Sequence, residues 1–309
     1  MAETILVTGG NGNLGRLVAG LLERDGARVV SFDLPGTPRD AARHATVEGD
    51  IRDTDLLRRT IETHRPDAVL HLASLLSGSS EADPALAWEV NATASFNLMQ
   101  AACDLVPGPF VFASTITTYG PGLPDPLPLD APQWPQNLYG ATKVAVERAG
   151  VYLKHKRGLD FRCLRFPQVL SPFAPPGAVT AYPSHAFRAA AEGRGFTFPV
   201  SPDTGMSNLY LDDVVASLAA ILRADRARLR HPAYNMHGFF VSAGQIARTL
   251  SDLVPGFRAD FAPDPAIDAL IRAWPDRMDS SAARADWDWA PAFDFPATAR
   301  ALLDRLRGA

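Results

Sequence analysis

Gly9, Gly12 and Gly15 stand in the run Thr-Gly-Gly-Asn-Gly-Asn-Leu-Gly, directly after the β-prone stretch Thr4–Thr8 and at the opening of a helical pattern. Glycine at these places answers three separate needs. These are a tight turn, the approach of backbone N–H groups to a pyrophosphate, and contact between the helix and the strand before it. A glycine spacing alone is weak, because turns are rich in glycine. Its place between a strand and a helix turns it into a dinucleotide-binding fingerprint, with Gly9, Gly12, Asn13, Leu14 and Gly15 as the residues that meet the phosphates. Such a start commits the chain to a βαβ unit and hence to a parallel sheet.

The rest of the N-terminal half follows that commitment. β-Rich runs at Thr4–Thr8, Arg28–Phe32, Ala68–Leu72, Phe110–Ala113 and Phe161–Arg165 alternate with helical patterns that begin near Asn13, Asp55, Ala85 and Leu138. The first helix carries an apolar stripe at Leu14, Leu17, Val18, Leu21 and Leu22, the spacing of a face turned to a core. We expect an α/β fold: a Rossmann-type doubly wound parallel sheet with a smaller C-terminal substrate-binding lobe. The expected division is an NAD-binding domain over residues 1–170, with 205–240 returning to it, and a substrate-binding lobe over most of 171–309. Proline and glycine crowd the segments Tyr119–Pro135 and Pro167–Pro183. Long loops of this kind can fold over a site at the carboxyl edge of a sheet.

Charge and cysteine content exclude several classes. The chain has 34 acidic and 30 Lys and Arg residues in 309, a net charge of −4, with no basic run, so nucleic acid is not an expected partner. Cys103 and Cys163 lie far apart in apolar surroundings and read as reduced, buried thiols; no metal site is expected. No stretch has the apolar length of a membrane span, and the N-terminus runs straight into a strand with no room for a leader, so we expect a cytoplasmic protein without a membrane partner.

The second strand ends in Asp33, where a carboxylate can accept hydrogen bonds from a ribose diol. The same charge repels a 2′-phosphate, and Leu34, Pro35 and Gly36 offer no arginine to bind one, so NAD is favoured over NADP. Asp50 and Ile51 follow a third short strand and can bracket the adenine. Leu72, Ala73 and Ser74 end the fourth strand, where small residues let a cofactor lie close.

Tyr139 and Lys143 are four residues apart at the start of a helical pattern, which puts both on one face, one turn apart. An ammonium beside a phenol favours the phenolate, so Tyr139 can take or give a proton. Ser114 and Thr115 end the fifth strand beside the same crevice, where a hydroxyl can hold a substrate oxygen while the tyrosine moves its proton.

Together, the glycine loop, Asp33, Ser114-Thr115 and Tyr139-x-x-x-Lys143 resemble the extended short-chain dehydrogenase/reductase family, the NAD-dependent epimerase/dehydratase group, over essentially the whole chain. The resemblance implies Thr115, Tyr139 and Lys143 as the catalytic set with Ser114 as an auxiliary. It places Phe166 and Gln168 against the nicotinamide and Asn91 at the family's asparagine in the central helix. It also implies a homodimer, paired through the helices that carry Trp88–Cys103 and Tyr139–Lys154. Within the family, Leu75-Leu76-Ser77 with Glu81, Asp160–Pro167, and Ala273-Trp274-Pro275 with Asp279–Arg284 are similar to short-chain-type L-threonine 3-dehydrogenases. Ser77-Gly78 and Pro263–Ile267 are also similar to sugar-acid dehydrogenases of the D-erythronate type. Both imply oxidation of a secondary alcohol on a small acid, with Ser77, Gly78, Thr115, Gln168, Thr180 and Trp274 as substrate contacts. A packed core indole is an equal reading of Trp274. Gln168 departs from the glycine of the threonine enzymes.

Other readings stay open at this point. A nucleotide-sugar 4-epimerase uses the same Thr/Tyr/Lys set and the same NAD, and needs a diphosphate clamp that Arg188, Arg194, Arg258, Arg272 or Arg277 would have to supply. A sugar 4,6-dehydratase needs an acidic pair after the threonine, where this chain has Ile116-Thr117. A redox-sensing protein without turnover would not need both Tyr139 and Lys143.

Overall fold

The computed structural model describes residues 2–37, 44–176 and 178–308. Among the described residues twelve strands run, in chain order, β1 (Thr4–Thr8), β2 (Arg28–Asp33), β3 (Ala45–Glu48), β4 (Ala68–His71), β5 (Pro109–Thr115), β6 (Asp160–Phe166), β7 (Gln168–Leu170), β8 (Phe196–Phe198), β9 (Gly205–Tyr210), β10 (Ala233–Asn235), β11 (Phe239–Ser242) and β12 (Ala259–Phe261). The main helices are α1 (Asn13–Arg24), α2 (Thr54–His64), α3 (Ser77–Ala82), α4 (Pro84–Trp88), α5 (Ser95–Leu105), α6 (Leu138–Arg157), α7 (Tyr182–Ala191), α8 (Leu211–Arg223), α9 (Ala243–Leu253), α10 (Pro265–Arg272), α11 (Ser281–Trp287) and α12 (Phe295–Arg307).

Seven strands form one parallel sheet in the order β10-β6-β5-β4-β1-β2-β3. The direction of winding reverses between β1 and β4, and in open sheets of this kind the crevice outside the carboxyl ends at that reversal is where ligands bind. All five residues of β1 are buried, as a strand covered on both faces must be. On one face α2, α5 and α6 close a core around Leu57, Ile61, Leu98, Met99, Val146 and Leu153. On the other, α1 and α8 supply Val18, Leu22, Leu218 and Ile221 to a second core. That core continues without a break through Phe187, Phe198, Leu250 and Leu302 of the C-terminal elements.

The expected strands and helix starts fall on observed elements, with β5 extending two residues further, through Ser114 and Thr115. Between α4 and α5, residues Glu89–Ala94 form a π-helical segment, a wide turn that is uncommon in helices and recurs at functional sites. Beyond β6 the chain builds a three-stranded sheet in the order β11-β9-β7 and a parallel pair β12-β8. Residues 205–240 contribute to both parts: β9 lies in the smaller sheet, while β10 pairs with β6 of the larger one. The proline-rich segment after β5 is stitched to the C-terminal part by a bridge between Leu127 and Met278, with Leu127 donating to the Arg277 carbonyl and accepting from Asp279, both at 2.8 Å.

Candidate active site

The glycine loop sits at the reversal of the sheet. Gly9 has φ +70°, and a Cβ there would lie 2.8 Å from the backbone nitrogen of Ala73. A Cβ on Gly15 would lie 2.1 Å from the Gly9 carbonyl, so the first and third glycines let α1 close down on its own loop. Gly12 is the N-cap of α1 and offers no side-chain acceptor to the first N–H groups of the helix, those of exposed Asn13, half-buried Leu14 and buried Gly15. An uncapped helix N-terminus with a glycine at its mouth fits a pyrophosphate.

Asp33, half-buried at the end of β2, accepts from the Asn11 backbone N–H and the Leu34 backbone N–H, each at 2.8 Å, and from the Thr37 hydroxyl at 3.3 Å. The first of these bonds ties the carboxylate to the glycine loop. A carboxylate has about four acceptor positions, so room remains for a ribose hydroxyl. Asp50 is engaged differently: Arg52 reaches it at 2.6 Å and holds its carboxyl below the usual carboxylate range. Ile51 is buried beside it.

The wall after β4 is braced from below. Asn91, in the π-helical segment and 2% exposed, accepts from the Leu75 N–H at 2.7 Å and donates to the Leu75 carbonyl at 3.0 Å. Its amide also reaches the Thr142 hydroxyl of α6 at 3.3 Å. Asn91 therefore acts on the loop that carries Leu72, Ala73 and Ser74. Ser77 and Gly78 begin α3 and are exposed. From the end of the same helix, Glu81 accepts from the Leu138 N–H at the start of α6, at 2.7 Å.

At its N-terminus α6 is set by Asn137, whose side chain accepts from the Gly140 N–H at 2.7 Å. Tyr139, half-buried, and Lys143, 3% exposed, follow on one face of that helix. The Lys143 ammonium donates to the Ala113 carbonyl at 3.0 Å and lies 4.6 Å from the centre of the Phe112 ring and 5.4 Å from that of Tyr139. Burial brings its pKa down to about 8, while Cys163 and Glu147 act in the opposite direction. Burial pushes the Tyr139 phenol up to about 12, opposed by the Ser74 side chain. In the protein alone the phenol thus stays protonated, whereas the tyrosine–lysine spacing by itself suggests a phenolate. Below them His71 is fully buried between the hydroxyls of Thr8 (2.6 Å) and Ser95 (2.7 Å), and burial with the Lys143 charge lowers its pKa to about 3. It is neutral, and Lys143 keeps its charge without a rival.

Ser114 and Thr115 part company. Successive residues of a strand face opposite ways, and the Ser114 hydroxyl donates at 2.5 Å to Glu147, inside the protein. Thr115 is half-buried, and its hydroxyl oxygen accepts from the Thr117 N–H at 3.2 Å and the Thr117 hydroxyl at 3.3 Å, which leaves its own O–H to donate. Phe166 is buried at the end of β6 and Gln168 half-buried at the start of β7, donating to the Val169 carbonyl at 3.3 Å. Thr180 lies half-buried in a 3-10 turn, and Trp274 is half-buried with its side chain packed on the core.

Two features escaped the sequence. One is Gly140: a Cβ there would lie 2.1 Å from the Thr117 carbonyl, so only glycine lets the first turn of α6 rest on the turn after β5. Its neighbour Tyr139 hid it, since a glycine inside a helix reads as a weak spot. The other is the buried ion pair of Glu147 and Arg165, at 2.7 Å, a pairing that no spacing in the sequence announces.

Four of the five arginines considered for a diphosphate clamp, all but Arg258, have partners within the protein. Arg188 donates to the Pro172 and Ala174 carbonyls, Arg194 pairs with Glu192, Arg272 with Asp203 and Asp268, and Arg277 with Asp125. Among the described residues no group of His, Cys, Asp and Glu could hold a metal ion, and no helix is long and apolar enough to cross a membrane.

The NAD dependent epimerase/dehydratase family matches residues 5–236. The mitochondrial L-threonine 3-dehydrogenase of Bos taurus is 32% identical over 311 residues, 98% of this chain and 82% of that protein. Among solved structures, a GalE-like L-threonine dehydrogenase from Cupriavidus necator in its holo form superposes with a TM-score of 0.91 at 29% identity, covering 98% of this chain and 100% of that one. A monomeric L-threonine 3-dehydrogenase from a metagenome gives 0.89 at 28% identity, covering 98% and 99%.

The seat of α6 generates a direct expectation. Gly140→Val should lift the first turn of the helix and lower kcat by about 100-fold or more, the scale that a displacement of about 1 Å costs. Circular dichroism and steady-state NADH production check it, and a folded variant with wild-type kcat would contradict it.

Proposed function

As a member of the NAD dependent epimerase/dehydratase family, the chain is an NAD-dependent oxidoreductase acting on a CH–OH group, and we propose that its substrate is a small hydroxy amino acid or hydroxy acid. One observation supports this reading: the buried Lys143 ammonium lies 5.4 Å from the centre of the Tyr139 ring and donates to the Ala113 carbonyl, two residues before Thr115, whose own O–H is left to donate.

In this proposal the Gly9–Gly15 loop holds the pyrophosphate of NAD, Asp33 the adenosine ribose, and Lys143 the nicotinamide ribose. Asp50 with Ile51 borders the adenine, and Leu72, Ala73 and Ser74 form the wall, braced by Asn91. Phe166 and Gln168 border the nicotinamide. When bound, NAD+ supplies a hydride acceptor and a positive ring. Tyr139 takes the carbinol proton, its phenolate favoured by Lys143 and that ring against the upward pull of burial. Thr115 donates to the substrate oxygen as negative charge grows on it. Ser114 acts from beneath, through Glu147.

Substrate recognition falls to Ser77, Gly78, Gln168, Thr180 and Trp274, so residues 171–309 serve mostly as the substrate lobe. Gln168 stands where the threonine enzymes are expected to have glycine, and it adds an amide and bulk to the pocket. That favours a substrate with a further polar group over a plain methyl. A 4-epimerase is less favoured, because four of the five candidate clamp arginines, Arg188, Arg194, Arg272 and Arg277, are bound within the protein.

The exposed aromatic side chains Trp88 on α4 and Tyr152 on α6 support a homodimer along these helices. Sedimentation at micromolar concentration should give twice the 33.2 kDa chain mass, and a stable monomer would contradict it. The free thiols Cys103 and Cys163 suit a reducing compartment, and we assign the cytoplasm.

The test is NADH formation with L-threonine, 2- and 3-hydroxy acids, aldonates and UDP-sugars. NADH should accumulate with a member of the acid groups, and Tyr139→Phe should lower kcat about 100- to 10,000-fold while keeping NAD binding. Wild-type turnover in Tyr139→Phe, or epimerisation of a UDP-sugar without net NADH, would overturn the reading.

A further inference from the structure

Glu147 is the one formally negative group that faces Lys143 from within the described fold, and nothing in the proposed chemistry uses it directly. It lies four residues beyond Lys143 and eight beyond Tyr139, on the same face of α6. Its side chain is 2% exposed. Its oxygens accept from the Ser114 hydroxyl at 2.5 Å, from Gln133 at 3.0 Å, and from Arg165, whose Nε and terminal nitrogen approach to 3.0 and 2.7 Å. Arg165 in turn donates to the Tyr119 hydroxyl at 2.6 Å and the Leu129 carbonyl at 2.9 Å, and Tyr119 donates to Asn235 at 2.9 Å. One carboxylate thus joins α6 to β5, β6 and the proline-rich segment, with β10 reached through Tyr119. Ser114 and Arg165 are register neighbours of adjacent strands, so the three groups lock α6 onto the sheet one turn below the lysine.

A buried ion pair is a poor route to stability, since apolar residues of the same size serve as well or better. Its place therefore asks for another reason. The groups facing the Lys143 ammonium are Phe112 on β5, neutral His71 on β4, Cys163 on β6, and Tyr139 and Glu147 on α6, with Arg165 reached only through Glu147 and Cys163. The Cys163 thiol is held protonated by burial. Glu147 is left as the charge that opposes the loss of the lysine's proton.

We propose that Glu147 is a positioning residue, whose buried carboxylate fixes the seat of α6 on the sheet and supplies the counter-charge under which Lys143 meets the nicotinamide ribose. This rests on the reading of Lys143 given above. Two consequences separate. Removing the charge lets Lys143 deprotonate at lower pH, all the more because Arg165 is left uncompensated. Moving the charge without removing it shifts the helix and leaves the titration in place.

The experiment is NADH binding by fluorescence titration from pH 6 to 10, with NADH production and thermal melting measured on the same samples. Wild-type affinity should fall above about pH 8, where Lys143 loses its proton. Glu147→Gln should bring that fall to lower pH by about one unit or more. Glu147→Asp should keep the wild-type pH dependence and lower kcat about tenfold, as a displaced tyrosine does. A folded Glu147→Gln with the wild-type pH dependence would overturn the proposal. Such a variant with a lower melting temperature alone would mark the residue as merely structural. Should Glu147→Gln fail to fold, Glu147→Asp decides: wild-type kcat overturns the proposal, and reduced kcat with unchanged binding supports it. Lys143→Met separates the underlying reading. If that variant binds NADH like the wild type at every pH, it is the role of Lys143 that fails, and the role of Glu147 with it.

Discussion

Placing an ammonium out of water at the carboxyl edge of a parallel sheet is the constraint on which the site depends. Lys143 is 3% exposed, and a bare buried charge of this kind is not tolerated without partners. The protein meets that cost with the Ala113 carbonyl, the face of Phe112 and the charge of Glu147. Each comes from a different position on the sheet or helix, so the sheet must be built before the lysine can sit there. The same burial gives the group its chemical use, because a charge seen through little water acts strongly on its neighbour.

The cofactor side depends on the same sheet edge from the other direction. β1 and β4 are adjacent strands, and the loops after them touch: Gly9 lies against Ala73 with no room for a side chain. Asp33 is tied to the glycine loop through Asn11, and Asn91 ties the loop after β4 to α6 through Thr142. In the proposed reading the nucleotide end and the chemical end are thus joined by one chain of hydrogen bonds and close contacts. Preorganisation of this kind is what lets a few polar groups act at the moment of reaction without first having to rearrange.

Much of this was legible in the sequence, for reasons that can be named. The glycine loop, Asp33 and the Tyr139/Lys143 spacing are local patterns, and local patterns survive in one dimension. Five strands of the sheet, β1, β2, β4, β5 and β6, were legible as well, because buried parallel strands are runs of apolar residues with few rivals, whereas the three-residue edge strand β10 was not. Ser114 and Thr115 show the limit. Both were read as facing the crevice, but the parity of β5 turns one inward to Glu147. Parity depends on where the strand begins, and the sequence leaves that uncertain by a residue. Glu147 and Arg165 were illegible for a different reason. They meet only through the register of β5 on β6 and the packing of α6, and each alone looks like an ordinary charged residue. Gly140 was hidden because its need is set by the Thr117 carbonyl, more than twenty residues away in sequence. The C-terminal part has periodic helices such as α8 and α12 but mostly very short strands, so its small sheets could not be paired in advance.

The central claim is that Tyr139, Lys143 and Thr115 converge on the reacting end of bound NAD. A crystal structure of the complex with NAD+ tests it most directly. The account predicts the nicotinamide ring beside the Tyr139 and Thr115 hydroxyls, with the Lys143 ammonium on its ribose and the pyrophosphate on the first turn of α1. A dinucleotide bound with its nicotinamide away from this edge, or a Tyr139 hydroxyl turned from the cleft, would contradict it.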